Sequence, residues 1–180
     1  NTSVILPADH GRQYKKSEPL LLKNLTQVPY MIKYPGSKRD IKDFYCETNS
    51  SLYPTIMDLT GLNKPEHLAG KSVFEKSQND YALSESLFKK IAETSIRNND
   101  YVYIQKTDFD YMTGKLNLES VNKEYLFTEN EFETNNGENL IDKEEKIKEN
   151  LKEKILNHYK TKKKYFDNNQ ILDFTKNYKE

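Results

Sequence analysis

Apolar residues follow three different rhythms along this chain. At the start they run together, as Val4-Ile5-Leu6 before Pro7, and again from Val28 to Tyr34 before Pro35-Gly36. Continuous runs suit strands buried on both faces, the usual condition of a parallel sheet covered by helices. We therefore expect a few parallel strands in this region, with Pro29 tolerated at the start of the second. Val4, Ile5, Val28, Met31 and Ile32 are expected to face partners from outside the chain. That would leave a large apolar surface on the isolated segment.

A helical rhythm follows. Ser50 or Ser51 can cap a helix running to about Leu59, with Pro54 in its first turn and Leu52, Ile56 and Leu59 on one face. Gly61 supplies the stop, and Pro65 and Gly70 mark the next loop.

From about residue 80 to 130 the pattern alternates. Ile96 and Tyr101-Val102-Tyr103-Ile104 flank Asn98-Asn99-Asp100, which is turn chemistry, so a hairpin is expected. Met112 to Lys115 forms another turn, and Glu124 to Phe127 another strand. The chain breaks at Asn135-Asn136-Gly137, and Asp142 opens a helix to about Lys160 with Glu144 and Glu145 in its first turn. Ile147, Leu151 and Ile155 recur every four residues, and Leu156 and Tyr159 widen the stripe. That amphipathic face is expected to lie on the antiparallel sheet. The tail beyond Asp167 is polar, with a weak apolar set at Ile171, Leu172 and Phe174.

The predicted class is α/β, with a small antiparallel sheet and a long C-terminal helix. Residues 1–78 form one part, belonging to an α/β domain, and 79–180 a second, the small antiparallel sheet with its C-terminal amphipathic helix. Composition sharpens this division. Hydrophobic residues make up 35 % of the 180, below the ~45–50 % usual for globular chains, and the shortfall is concentrated in the last third. The apolar first half is thus expected to belong to something larger.

Twenty-eight basic and twenty-eight acidic residues cancel, so no global field favours nucleic acid. Lys162-Lys163-Lys164 reads as a solvated helix face. Cys46 is the only cysteine, which excludes an intrachain disulfide and a cysteine-based zinc site, and its neighbours read as a strand. No run of about 18 apolar residues is present to span a membrane. Localisation stays open.

One motif carries chemistry. Asp9-His10-Gly11 directly follows a strand, where functional groups of open α/β sheets gather. Adjacent carboxylate and imidazole can hold one cation. This donor pair suits Mn²⁺, Zn²⁺ or Fe²⁺, whereas Ca²⁺ prefers oxygens alone. Gly11 permits the sharp turn that aims both at one place. The alternative is an Asp that caps a turn beside a surface His.

The motif has company. After it come Val28-Pro29 leading to Pro35-Gly36, then Tyr53-Pro54-Thr55 in the helix, then Gly70-Lys71-Ser72. Next come Ile96-Arg97 with Tyr101, Tyr103 and Ile104, and finally Tyr125-Leu126-Phe127-Thr128 with Glu133-Thr134-Asn135-Asn136. In this order the sequence resembles the sulfatase family of the alkaline phosphatase superfamily, over most of residues 1 to about 160.

The resemblance implies a metal-dependent enzyme that hydrolyses sulfate esters, or phosphate esters in some branches, with a glycan among the candidate substrates. Asp9 and His10 match the family's second pair of metal ligands, with calcium or manganese as the metal. The first acidic pair and the nucleophile would lie upstream, in the N-terminal half of the same enzyme. No catalytic nucleophile is therefore assigned in this chain, and alone it is expected to be inactive. The family often places a Lys after the Asp-His-Gly turn to hold the ester's anionic oxygens. Lys16 is the candidate here, from a segment that matches poorly, and Arg12 is a second group that could face the anion. Other readings are a phosphoglycerol or phosphoethanolamine transferase, a phosphate or phosphonate ester hydrolase, or a non-catalytic recognition or association module.

Overall fold

A computed structural model describes residues 2–11, 18–38, 48–65, 70–75, 80–88, 90–110, 115–129 and 137–167. Strand β1 (Val4–Pro7) pairs antiparallel with β2 (Tyr30–Lys33) in a two-stranded ribbon, Ile5 opposite Ile32. This corrects the parallel arrangement expected here. The short helix α1 (Lys23–Thr26) and the extended 27–29 segment turn the chain back beside the strand it left. The apolar surface expected on this segment is present in part. Val4, Leu6 and Met31 are 42 %, 54 % and 55 % exposed, while Ile5, Val28 and Ile32 are half-buried. An isolated two-stranded ribbon of this kind is marginal by itself.

Helix α2 (Thr48–Thr60) starts earlier than the Ser50 or Ser51 cap expected from sequence. Pro54 consequently sits inside it and cannot bond the Ser50 carbonyl. Gly70 packs against that carbonyl so closely that a Cβ would lie 2.3 Å from its oxygen. The buried face is not the one that carries Leu52, Ile56 and Leu59. Ser51, Pro54, Thr55 and Met57 turn inward, whereas Ile56 is exposed and Leu52 and Leu59 are half-buried. Thr55 faces inward here because the 70–75 loop bonds to it. The Val73 amide donates to Thr55 Oγ1 at 3.2 Å, and the Thr55 hydroxyl donates to the Ser51 carbonyl at 2.6 Å.

The second half follows the sequence more closely. Strands β3 (Ala82–Phe88), β4 (Ile91–Arg97), β5 (Tyr101–Asp110) and β6 (Lys115–Thr128) form one antiparallel sheet in chain order. The β4–β5 turn forms as expected, with Asn98 Oδ1 accepting the amides of Asp100 and Tyr101. Successive residues alternate between the two sheet faces. One face carries Ile96, Tyr103 and Leu126, covered by α3 (Glu145–Asp167) through Leu151 and Ile155. Ile147 and Tyr159 pack at the margin of that cluster. The other face carries Val102, Ile104, Tyr125 and Phe127, covered by Leu22 just before α1. The first and second halves of the chain therefore meet through the 18–26 segment. No helix among the described residues is long and apolar enough to cross a membrane.

Candidate metal-binding turn

Asp9, His10 and Gly11 follow β1 directly. The His10 amide donates to Asp9 Oδ1 at 2.9 Å, which folds the carboxylate back over its neighbour. His10 Nδ1 lies 2.7 Å from the Gly11 carbonyl oxygen. A carbonyl only accepts, so Nδ1 carries the proton, and a neutral imidazole then keeps its lone pair on Nε2. That nitrogen lies 3.5 Å from Asp9 Oδ2. The side chains of His10 and Asp9 are 68 % and 84 % exposed, so both donor atoms are open to solvent on the same side of the turn. Backbone carbonyls commonly orient metal-binding histidines in this way.

The donor set fits part of a divalent metal's shell: one carboxylate oxygen and one imidazole nitrogen, already adjacent. Among the described residues no group of three or more His, Cys, Asp or Glu side chains converges as a complete site. Lys16 and Arg12, the candidate anion-binding groups, lie outside the described residues, as do Cys46 and His67. His158 is half-buried on α3 with its ring edge against Tyr159, far along the chain from the turn.

Gly11 fixes where the turn sits. Its amide donates to the Leu25 carbonyl at 2.7 Å, and a Cβ there would lie 2.0 Å from the Asn24 carbonyl oxygen. The glycine is needed for this close approach of two backbones. The 18–26 segment is in turn held by charged groups from the antiparallel sheet. Buried Glu93 accepts the Leu21 amide at 2.6 Å and pairs with Lys106 Nζ at 3.2 Å. Lys106 also donates to Glu18 at 2.6 Å, and the Tyr125 hydroxyl donates to the same carboxylate at 2.8 Å. The Lys106 ammonium and the Tyr125 hydroxyl hold the Glu18 carboxyl below its ordinary range, against the opposing effect of partial burial. Arg97 Nη1 donates to both oxygens of Glu129 at 2.8 and 2.7 Å, while its Nη2 donates to Thr26 Oγ1 at 3.2 Å.

Motif reading placed Arg97 in a hairpin without giving it a task, and it missed Glu93 and Glu129. Glu93 carried a usable signal, because a charged residue between Ala92 and Ile96 on a central strand must find a partner when buried. Glu129 had none, since a single acid after a strand looks like any turn residue.

Two known proteins align with parts of the chain. It is 31 % identical over 78 residues to the 2,3-bisphosphoglycerate-independent phosphoglycerate mutase of Clostridium acetobutylicum, covering 41 % of this chain and 15 % of that protein. It is 30 % identical over 80 residues to the "Putative extracellular sulfatase Sulf-1 homolog" of Caenorhabditis elegans, covering 42 % of this chain and 11 % of that protein. Both are members of the alkaline phosphatase superfamily. The chain thus has partial similarity to enzymes of that superfamily, while spanning only a small part of their length. No family model matches.

Proposed function

We propose that this chain is a C-terminal portion of a metal-dependent ester hydrolase of the alkaline phosphatase superfamily, sulfatase-like in activity, in which Asp9 and His10 supply part of the metal's shell. The observation that carries the reading is the convergence of Asp9 Oδ2 and His10 Nε2, with Nδ1 tied to the Gly11 carbonyl. A bound calcium or manganese would polarise an ester oxygen and orient the nucleophile. The task of this chain is then positional. Asp9 contributes negative charge, His10 contributes a nitrogen lone pair of fixed orientation, and Gly11 anchors both to α1. The nucleophile and remaining ligands come from the N-terminal half of the enzyme. Lys16 and Arg12 are proposed to face the anionic group of the ester.

The phosphoglycerate mutase similarity supports a second reading within the same superfamily, in which the ester is a phosphate. One experiment addresses both. The full-length protein and its Asp9→Ala variant are assayed for bound metal and for hydrolysis of an aryl sulfate and an aryl phosphate. Loss of metal and turnover with an unchanged circular dichroism spectrum is expected, and the better substrate selects the branch. Normal turnover without Asp9 would refute the metal assignment.

A further inference from the structure

We propose that the antiparallel sheet positions the Asp9–His10 turn through the 18–26 segment, with Arg97 and Glu93 as positioning residues for the metal site. The inference rests on the metal reading above and extends it to residues remote in sequence. The chain of contact is continuous. Asp9 and His10 sit on Gly11, whose amide is bonded to Leu25 of α1. The backbone of α1 passes close beside the turn, so close that a Cβ on Gly11 would lie 2.0 Å from the Asn24 carbonyl oxygen. On its other side the segment is fastened at both ends. Glu93 takes the Leu21 amide before α1, and Arg97 takes the Thr26 hydroxyl at its last residue.

These fastenings are of a strong kind. Side-chain exposure is 10 % for Arg97, 14 % for Glu129 and 5 % for Glu93, so their bonds are charge-assisted and largely screened from water. The Thr26 hydroxyl also donates to the Leu22 carbonyl at 3.1 Å, which closes the single turn of α1 that Arg97 grips. A four-residue helix cannot hold its own shape in water. Its geometry is therefore supplied by the sheet, and so is the position of any group fastened to it. Supporting shells of this sort typically change metal affinity about 10–100-fold when removed.

The test uses the full-length protein and three variants: Arg97→Met, Thr26→Val and Asp9→Ala. Thr26→Val leaves the Arg97–Glu129 pair in place, so it carries the test if Arg97→Met does not fold. The first readout is hydrogen exchange in the metal-free protein, comparing the Gly11 amide with the Ile104 amide at the centre of the sheet. The second is the Mn²⁺ dissociation constant from titration calorimetry. Exchange at Gly11 is expected to accelerate in the Arg97 and Thr26 variants while Ile104 keeps its protection. The Mn²⁺ constant is expected to rise about tenfold or more.

Unchanged Gly11 exchange would overturn the proposal. So would equal loss of protection at Ile104 in Thr26→Val, which would mean general loosening. A loosened turn with unaltered Mn²⁺ affinity, alongside Mn²⁺ binding abolished in Asp9→Ala, would overturn the positioning role and leave the metal assignment standing. Mn²⁺ binding that survives Asp9→Ala would instead remove the metal assignment, and the positioning role with it. The exchange data would then report only whether the sheet holds the turn.

Discussion

The Gly11 amide and the Leu25 carbonyl meet at 2.7 Å, and this bond joins the turn after β1 to the segment that covers the antiparallel sheet. It forms only because residue 11 has no side chain. Gly11→Ala would put a methyl group 2.0 Å from the Asn24 carbonyl oxygen, a backbone atom that cannot swing aside. The variant should lose the Leu25 bond and cost about 1–3 kcal/mol, the range of an overpacked site. A urea melt checks the cost, and amide exchange at residue 11 checks its location.

Leu151 and Ile155 are fully enclosed between α3 and the sheet, against Ile96, Tyr103 and Leu126. Leu151→Ala removes several methylene and methyl groups from a closed site and should destabilise by about 2–5 kcal/mol. Ile147→Ala should cost clearly less, because Ile147 only borders the cluster. Denaturant melts of the two variants test the ranking; equal costs would place the helix in a different register on the sheet.

These two cases mark what could be read from sequence and what could not. The α3 stripe was legible because a 3.6-residue period survives any register against a flat sheet. The β4–β5 hairpin was legible because Asn98 caps its turn locally, without help from elsewhere. By contrast, the apolar runs of β1 and β2 report burial propensity but not strand direction, which depends on how α1 returns the chain. The buried face of α2 was not legible for a related reason. Thr55 has the look of a solvent-facing residue until the 70–75 loop supplies its partner, the Val73 amide. Asp9 and His10 were visible as a pair, yet the fastening of their turn by Glu93 and Arg97 spans more than 70 positions and leaves no local pattern.

Acid should weaken the protein partly through Glu124. Burial pulls its carboxyl up, but the Tyr103 hydroxyl at 2.5 Å and Lys152 Nζ at 3.0 Å outweigh this and leave it below its ordinary value of 4.5. A carboxyl lowered by folding adds stability that is present above the unfolded value and lost as pH falls through the folded one. Tyr103→Phe removes one of these donors and should cost about 1.5–3 kcal/mol at pH 7, the range for hydrogen bonds to charged groups. The cost should shrink as pH falls below about 4.5, because protonated Glu124 no longer accepts with a full charge. Urea titrations of both proteins from pH 7 to pH 3 check this. A pH-independent difference would mean that the hydroxyl contributes packing alone.

The last prediction concerns the clamp between α2 and the 70–75 loop. Thr55 is fully buried, and its Oγ1 is the acceptor for the Val73 amide. Thr55→Val keeps the shape, removes that acceptor and should cost about 1–3 kcal/mol for the stranded amide. Gly70 has φ of +84° and faces the Ser50 carbonyl that Pro54 cannot bond. Gly70→Ala combines backbone strain with a 2.3 Å clash and should cost at least as much. Lys64 also ties the same loop to α2, lying 3.0 Å from Asp58 and 2.9 Å from Glu75. That grip suggests the loop is released as one unit. If so, the first substitution already removes most of what the second would disturb, and the double variant should cost less than the sum of the singles. Four urea titrations close the cycle. Strict additivity would show that the two contacts act independently and that the loop is not held as a unit.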